Sequence, residues 1–249
     1  EVVENDRPRI DYTDSEDGVF LLEKQSTNLI TNSNNLTNWN GAAMTRTLVD
    51  DLINPSNGLD ASKLTQTSSG GYAWLSRTFT GNETFSAFVK KDTSNFARLY
   101  AASNTVYFDI VNGTIETEVG SDITDKSIID YGNGWFRISM SVNRTDASYV
   151  RIYPASSGSS SSGTNSLFVY GAQLEQGSYA TSYIPTSGSA VTRSEDDISL
   201  TLPDNTSFNS SVGFTLYGEF LTNGGSGTSS MAVQVNLDLV VTAQIGEQD

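Results

Sequence analysis

Short runs of β-branched and aromatic residues, cut at close intervals by Gly, Asn, Asp and Ser, constrain this chain more than any other feature. Residues 19–23, 72–79, 84–90, 97–101, 106–110, 135–142, 149–153 and 166–174 have this composition, and no segment carries a convincing helical period. Asn112-Gly113, set between Phe108-Asp109-Ile110 and Thr114-Ile115-Glu116, predicts a two-residue hairpin turn. A Gly/Ser tract over residues 156–164 predicts a mobile loop. Such a series of strands predicts an all-β protein, a jelly-roll β-sandwich or a related sandwich, and 249 residues supply ample apolar side chains for its core.

Alternation along the strands separates core from surface. In 72–79, Leu75 and Phe79 share one face while Tyr72, Trp74 and Ser76 share the other. Phe136, Ile138 and Met140 read inward, which leaves Trp135, Arg137 and Ser139 outside. On a neighbouring strand, Ser86, Phe88 and Lys90 complete a polar-aromatic surface. Tyr72, Trp74, Phe88, Lys90, Trp135 and Arg137 are therefore the candidate glycan-binding residues: rings stack on the apolar face of a pyranose, and polar groups fix its hydroxyls. The alternative is a sheet covered by loops or by a partner, which buries the same aromatics.

Other chemistry is mostly excluded. The chain has neither His nor Cys, so it holds no imidazole or thiolate ligand, no disulfide and no His-dependent nucleophile system. Gly224 to Gly227 lack the Lys-Ser/Thr ending of a phosphate loop. Carboxylate pairs capable of glycoside hydrolysis are not singled out by spacing, and the chain is read as no enzyme. A net charge of −15 argues against nucleic acid as a partner. No apolar run reaches 18 residues, so no membrane insertion is expected. Asp11, Asp14, Glu16 and Asp17 are dense but lack the spacing of a calcium loop, and read as a solvated arm. A start at Glu1 without Met or a signal-peptide pattern points to a piece of something longer.

Three segments carry a resemblance. LLEKQSTNLITNSNNLTNW (21–39), YGNGWFRISMSV (131–142) and SLFVYGAQLEQGSYATSYIPT (166–186) resemble, in order, the opening, a middle strand and the closing segment of the jelly-roll sugar-binding-like domains in fibre and spike proteins of bacteriophages. Phe136 stands where Tyr is usual in that family. The resemblance divides the chain into an arm (1–18), a jelly-roll domain (19–194) and additional C-terminal strands from a partial second β unit (195–249), with strands at 198–203, 213–221 and 231–245. It implies a non-enzymatic virion surface protein of head or tail that adheres to host glycan, contacts other virion proteins and forms a homo-oligomer, a trimer first. Glu23, Asn32 and Glu175 are the oxygen donors matching the structural calcium of related modules; a hydrogen-bonded sheet end is the alternative. Rival readings are an accessory module of a polysaccharide-degrading enzyme, secreted or on a bacterial surface, and a purely architectural decoration protein.

Overall fold

In the computed structural model, residues 10–11 and 19–196 are described. The chain divides into two units, Glu1–Ile198 and Ser199–Asp249. The strands expected between 198 and 245 lie outside the described residues. So do Asp14, Glu16 and Asp17, and of Asp11 only the strand backbone is described.

Two small ladders flank the sandwich. One pairs β1 (Ile10–Asp11) with β2 (Val19–Phe20), and the other pairs β3 (Ser26–Asn28) with β16 (Val191–Arg193). A 3₁₀ turn at Leu36–Asn38, capped by the Asn35 side chain, leads into the strands of the sandwich. These are β4 (Asn40–Ala42), β5 (Met44–Val49), β6 (Ala61–Gln66), β7 (Tyr72–Thr78), β8 (Gly81–Lys91), β9 (Phe96–Ala101), β10 (Asn104–Asp109), β11 (Thr114–Val119), β12 (Ile123–Asp130), β13 (Trp135–Arg144), β14 (Ala147–Ala155) and β15 (Ser166–Gln176). Sheet I has the order β11-β10-β9-β14-β7-β4, and sheet II the order β12-β13-β8-β15-β6-β5, both antiparallel. The chain crosses repeatedly between the layers, as expected of the sandwich.

Between the sheets, Leu99, Val106, Phe108, Val150 and Ile152 from sheet I meet Phe85, Val89, Ile138, Met140, Leu167 and Val169 from sheet II. Each of these side chains contributes about 1.5–3 kcal/mol by leaving water. Gly171 allows the closing strand to keep feeding this core. A register shift between Tyr170 and Gln173 exchanges the faces, so that Leu167 and Val169 before it and Ala172 and Leu174 after it all point inward. Its φ of 60° and a virtual Cβ only 2.8 Å from Phe88 Cδ2 require glycine.

The first and last segments of the sandwich close on each other. Asn28 accepts from Leu174 N through Oδ1 and donates to the carbonyls of Ala172 and Ile184 through Nδ2. Leu29 N donates to Leu174 O at 2.7 Å, and Ala172 N to Ser33 O at 2.9 Å.

Several local expectations are corrected. The Asn112-Gly113 hairpin exists, but its loop runs from 110 to 113, because Asp109 pairs with Thr114 and its carboxylate accepts from the amides of Val111 and Asn112. The Gly/Ser tract is anchored: Gln66 Nε2 donates to Ser161 O, and Gly70 N does the same. Residues 19–23 form only the short β2, whereas β5, β6 and β12 are strands that composition did not reveal.

Candidate functional site

The expected polar-aromatic surface is split in two. Only residues 79 and 80 separate β7 from β8, yet the two strands belong to different sheets. A connection that short ordinarily makes a hairpin between neighbours in one sheet. Here it turns the corner of the sandwich, held by the Arg77–Glu83 ion pair at 2.7 Å. Tyr72 and Trp74 face outward from sheet I. The other four candidates belong to sheet II.

On sheet II, pairing does bring Phe88 opposite Arg137 and Lys90 opposite Trp135. Covering segments then bury most of them. Trp135 donates through Nε1 to Ile53 O at 3.0 Å, Leu52 packs on the same cluster, and Tyr183 stands edge-on to Phe88 and Tyr170. Phe88, Trp135 and Arg137 are 3, 2 and 5% exposed. Arg137 donates to Ser86 Oγ and lies over the Phe88 ring; Lys90 Nζ donates to Asn133 O. Burial pushes the Tyr170 and Tyr183 hydroxyls up from their ordinary pKa, in line with this covered state. The covered-sheet alternative therefore describes sheet II.

Sheet I keeps part of its outer face open: Tyr149 is exposed, whereas Tyr107 and Tyr153 on the same face are buried. Register places Arg98 between Tyr153 and Tyr107, and Arg151 between Tyr100 and Trp74, so cations and rings alternate across β10, β9, β14 and β7. The Arg98 guanidinium carbon lies 4.2 Å from the Tyr153 ring centroid and 5.3 Å from that of Tyr107. Arg151 is 4.4 Å from Tyr100, 4.6 Å from Tyr72 and 5.1 Å from Tyr149. Trp74 meets Tyr149 edge to face at 5.1 Å, and Tyr72 lies 4.9 Å from Tyr153. Tyr149 is exposed; Tyr72, Trp74, Tyr100, Arg98 and Arg151 are half-buried. A hollow of about 270 Å³ lined by Ser76, Arg77, Thr78, Ala147, Ser148 and Tyr149 continues the face at its Tyr149 end.

Burial works against the charge on Arg151, but the hydrogen bond to the Tyr153 hydroxyl and the surrounding tyrosines outweigh it, and its pKa is raised. Burial likewise raises Tyr153. Sequence reasoning found Tyr72 and Trp74 here but missed Arg98, Tyr100, Tyr149, Arg151 and Tyr153. Alternation in ARLYA (97–101) and YVRIY (149–153) carried that signal.

The donor set expected to hold calcium does not fit a cation. Glu175 is fully buried and accepts from Ser26 Oγ, Gln173 Nε2, Thr181 N and Thr181 Oγ1. Glu23 accepts from Ser182 N and pairs with Arg193 at 2.7 Å. Asn32 bridges to Ser187, and its carbonyl accepts from Trp39 Nε1. Protons rather than a metal satisfy both carboxylates, which agrees with the alternative of a hydrogen-bonded sheet end. Among the described residues no three acidic side chains form a metal-sized cluster, and no helix is long and apolar enough to cross a membrane.

No protein-family model matches the chain, and no curated protein matches it. Among solved structures, the enzymatically active domain of bacteriophage CBA120 tailspike protein 4 is similar over 59% of this chain and 21% of that one, with 14% sequence identity and a TM-score of 0.34. The sequence predicts a protein that is not an enzyme; the solved domain is an enzymatically active one, and that prediction is withdrawn. A likeness of this size carries nothing further.

Proposed function

We propose that this chain is a bacteriophage virion surface protein, of fibre or spike type, that adheres to surface glycans through the outer face of sheet I. One observation carries the binding reading: Tyr72, Trp74, Tyr100 and Tyr149 lie on a single sheet face with two arginines between them, and none is covered in the way that Phe88 and Trp135 are. Rings at such spacing offer stacking platforms to successive sugar rings, and the guanidinium and phenol groups between them hydrogen-bond hydroxyls. The three resembling segments support the phage setting. Single sites of this open kind are weak, and copies in a homo-oligomer, a trimer first, would make them useful through avidity.

Immobilised bacterial surface polysaccharides probed with the wild-type protein and Trp74→Ala test this reading. Trp74 is half-buried against Tyr149, so the variant should stay folded with a modestly lower melting temperature and lose about 1.5 kcal/mol of binding, about tenfold in Kd. Failure of the wild type to bind any polysaccharide, or unchanged affinity in the variant, would overturn it. Release of reducing ends in the same samples reports whether bound glycan is also cleaved.

A further inference from the structure

We infer that the site on sheet I selects saccharides bearing carboxylates, with Arg98 and Arg151 as their anchors; the inference rests on the glycan reading of that face. The chain carries 29 acidic against 14 basic residues. Arg77, Arg144 and Arg193 have a carboxylate close by, as do Lys63 and Lys126. Among the described residues Arg98 and Arg151 have none within 4.0 Å, and neither do Lys24, Arg46, Lys90, Lys91 and Arg137; what sets Arg98 and Arg151 apart is the group of tyrosine rings around each. Both stand on the aromatic outer face of sheet I, as diagonal neighbours on paired strands, where Arg98 faces Tyr153 and Tyr100 faces Arg151.

Their geometry suits an incoming anion. Each guanidinium is clamped by rings, which fixes its plane, and the Nε of each is buried without a hydrogen-bond partner. Arg98 spends its two terminal nitrogens on hydroxyls, on Ser161 Oγ at 3.4 Å and Thr105 Oγ1 at 3.1 Å. Arg151 donates from Nη1 to Tyr153 Oη at 3.2 Å, and its Nη2 has no partner among the described residues. Neutral hydroxyl partners are exchangeable for a carboxylate, whose bond to guanidinium is charge-assisted and about twice as strong. A sugar ring stacked on Trp74 or Tyr72 places a carboxylate substituent over Arg151, which borders both. Elsewhere the acidic surface repels a polyanion, which confines acidic glycan to this face.

An array pairing each acidic polysaccharide with its carboxyl-reduced, neutral form tests the inference. The wild type should bind at least one acidic member about tenfold more tightly than its reduced partner. Arg151→Gln and Arg98→Gln should lose that preference while retaining residual affinity for neutral glycan, and Trp74→Ala should weaken both forms alike. Equal binding of both forms by the wild type overturns the inference and leaves the glycan reading standing. Absence of binding to every member overturns both. Should an arginine variant unfold, as a melting curve would reveal, the wild-type comparison still decides.

Discussion

Glu175 is a charged side chain with no exposed surface, held by four donors from Ser26, Gln173 and Thr181. A buried carboxylate is tolerable only when hydrogen bonds replace its water, and the converse holds for the donors around it. Glu175→Ala strands the Thr181 amide and hydroxyl and the Ser26 hydroxyl, while Gln173 Nε2 keeps the carbonyls of Thr181 and Ser182, and should cost about 3 kcal/mol in urea unfolding. Ser26→Ala removes one donor of the four and should cost about 1 kcal/mol. Equal costs would mean that the carboxylate is not the hub. In sequence, Glu175 is legible as an oxygen donor held near the chain's opening segment. Whether its partners are protons or a cation depends on Ser26 and Thr181 arriving from either side, which spacing does not display. At Arg151 the case is similar: its outward direction follows from alternation, whereas its company of three tyrosines follows from pairing.

Elements are set by period and by turn chemistry, and the β10–β11 hairpin shows both at work. Asp109 ends β10 and folds its carboxylate back over the loop, accepting from the Val111 and Asn112 amides and from the Asn112 side chain. Gly113, at φ 70°, completes the turn. Burial alone would raise the Asp109 pKa; these hydrogen bonds outweigh it and hold it below the ordinary value. Asp109→Ala leaves the loop amides without their acceptor and should destabilise by about 1–2 kcal/mol, the usual worth of a capping carboxylate. Chemical denaturation with unchanged slope checks this; a change below 0.3 kcal/mol, about the noise of such measurements, would remove the capping role. Strands with a clean apolar alternation, such as β7, β9, β13 and β14, were readable from residues alone. β12 was not: ITDKSIID is a mostly polar edge strand with a register shift, and its Ile128 packs on the core while Ile129 lies exposed. Neither was β6, where Ser62 and Gln66 are buried in structural hydrogen bonds rather than in apolar contacts.

At the scale of the whole molecule, which strands share a layer is a property of corners and crossings, and the corner between β7 and β8 decides which aromatics form a face. The same assembly fixes how the protein responds to acid. Burial alone would raise Asp92, yet the Lys63 ammonium and the Ser166 hydroxyl outweigh it, and Asp92 and Asp109 are both held below the ordinary carboxylate pKa. Asp122 is lowered by the Asn104 side chain and Arg144, and Asp146 by Arg144. A folded-state pKa below the unfolded one contributes stability that is fully present above the unfolded value and is lost as pH falls through the folded one. Against this, a net charge of −15 at pH 7 repels itself, and protonation of ordinary exposed carboxylates relieves that repulsion first. The two effects occupy different pH ranges, because exposed carboxylates titrate near their usual pKa of about 4 while the four lowered aspartates hold their charge to more acid values. The melting temperature should therefore hold or rise slightly from pH 7 to about pH 5, then fall steeply below about pH 4 as the paired aspartates are protonated. A melting temperature that went on rising to pH 3 would show that charge repulsion, and not the paired aspartates, dominates the acid limb. Asp92→Asn combined with Asp109→Asn should lower stability at pH 7 and flatten the acid limb, since the variant no longer loses on protonation what the wild type does.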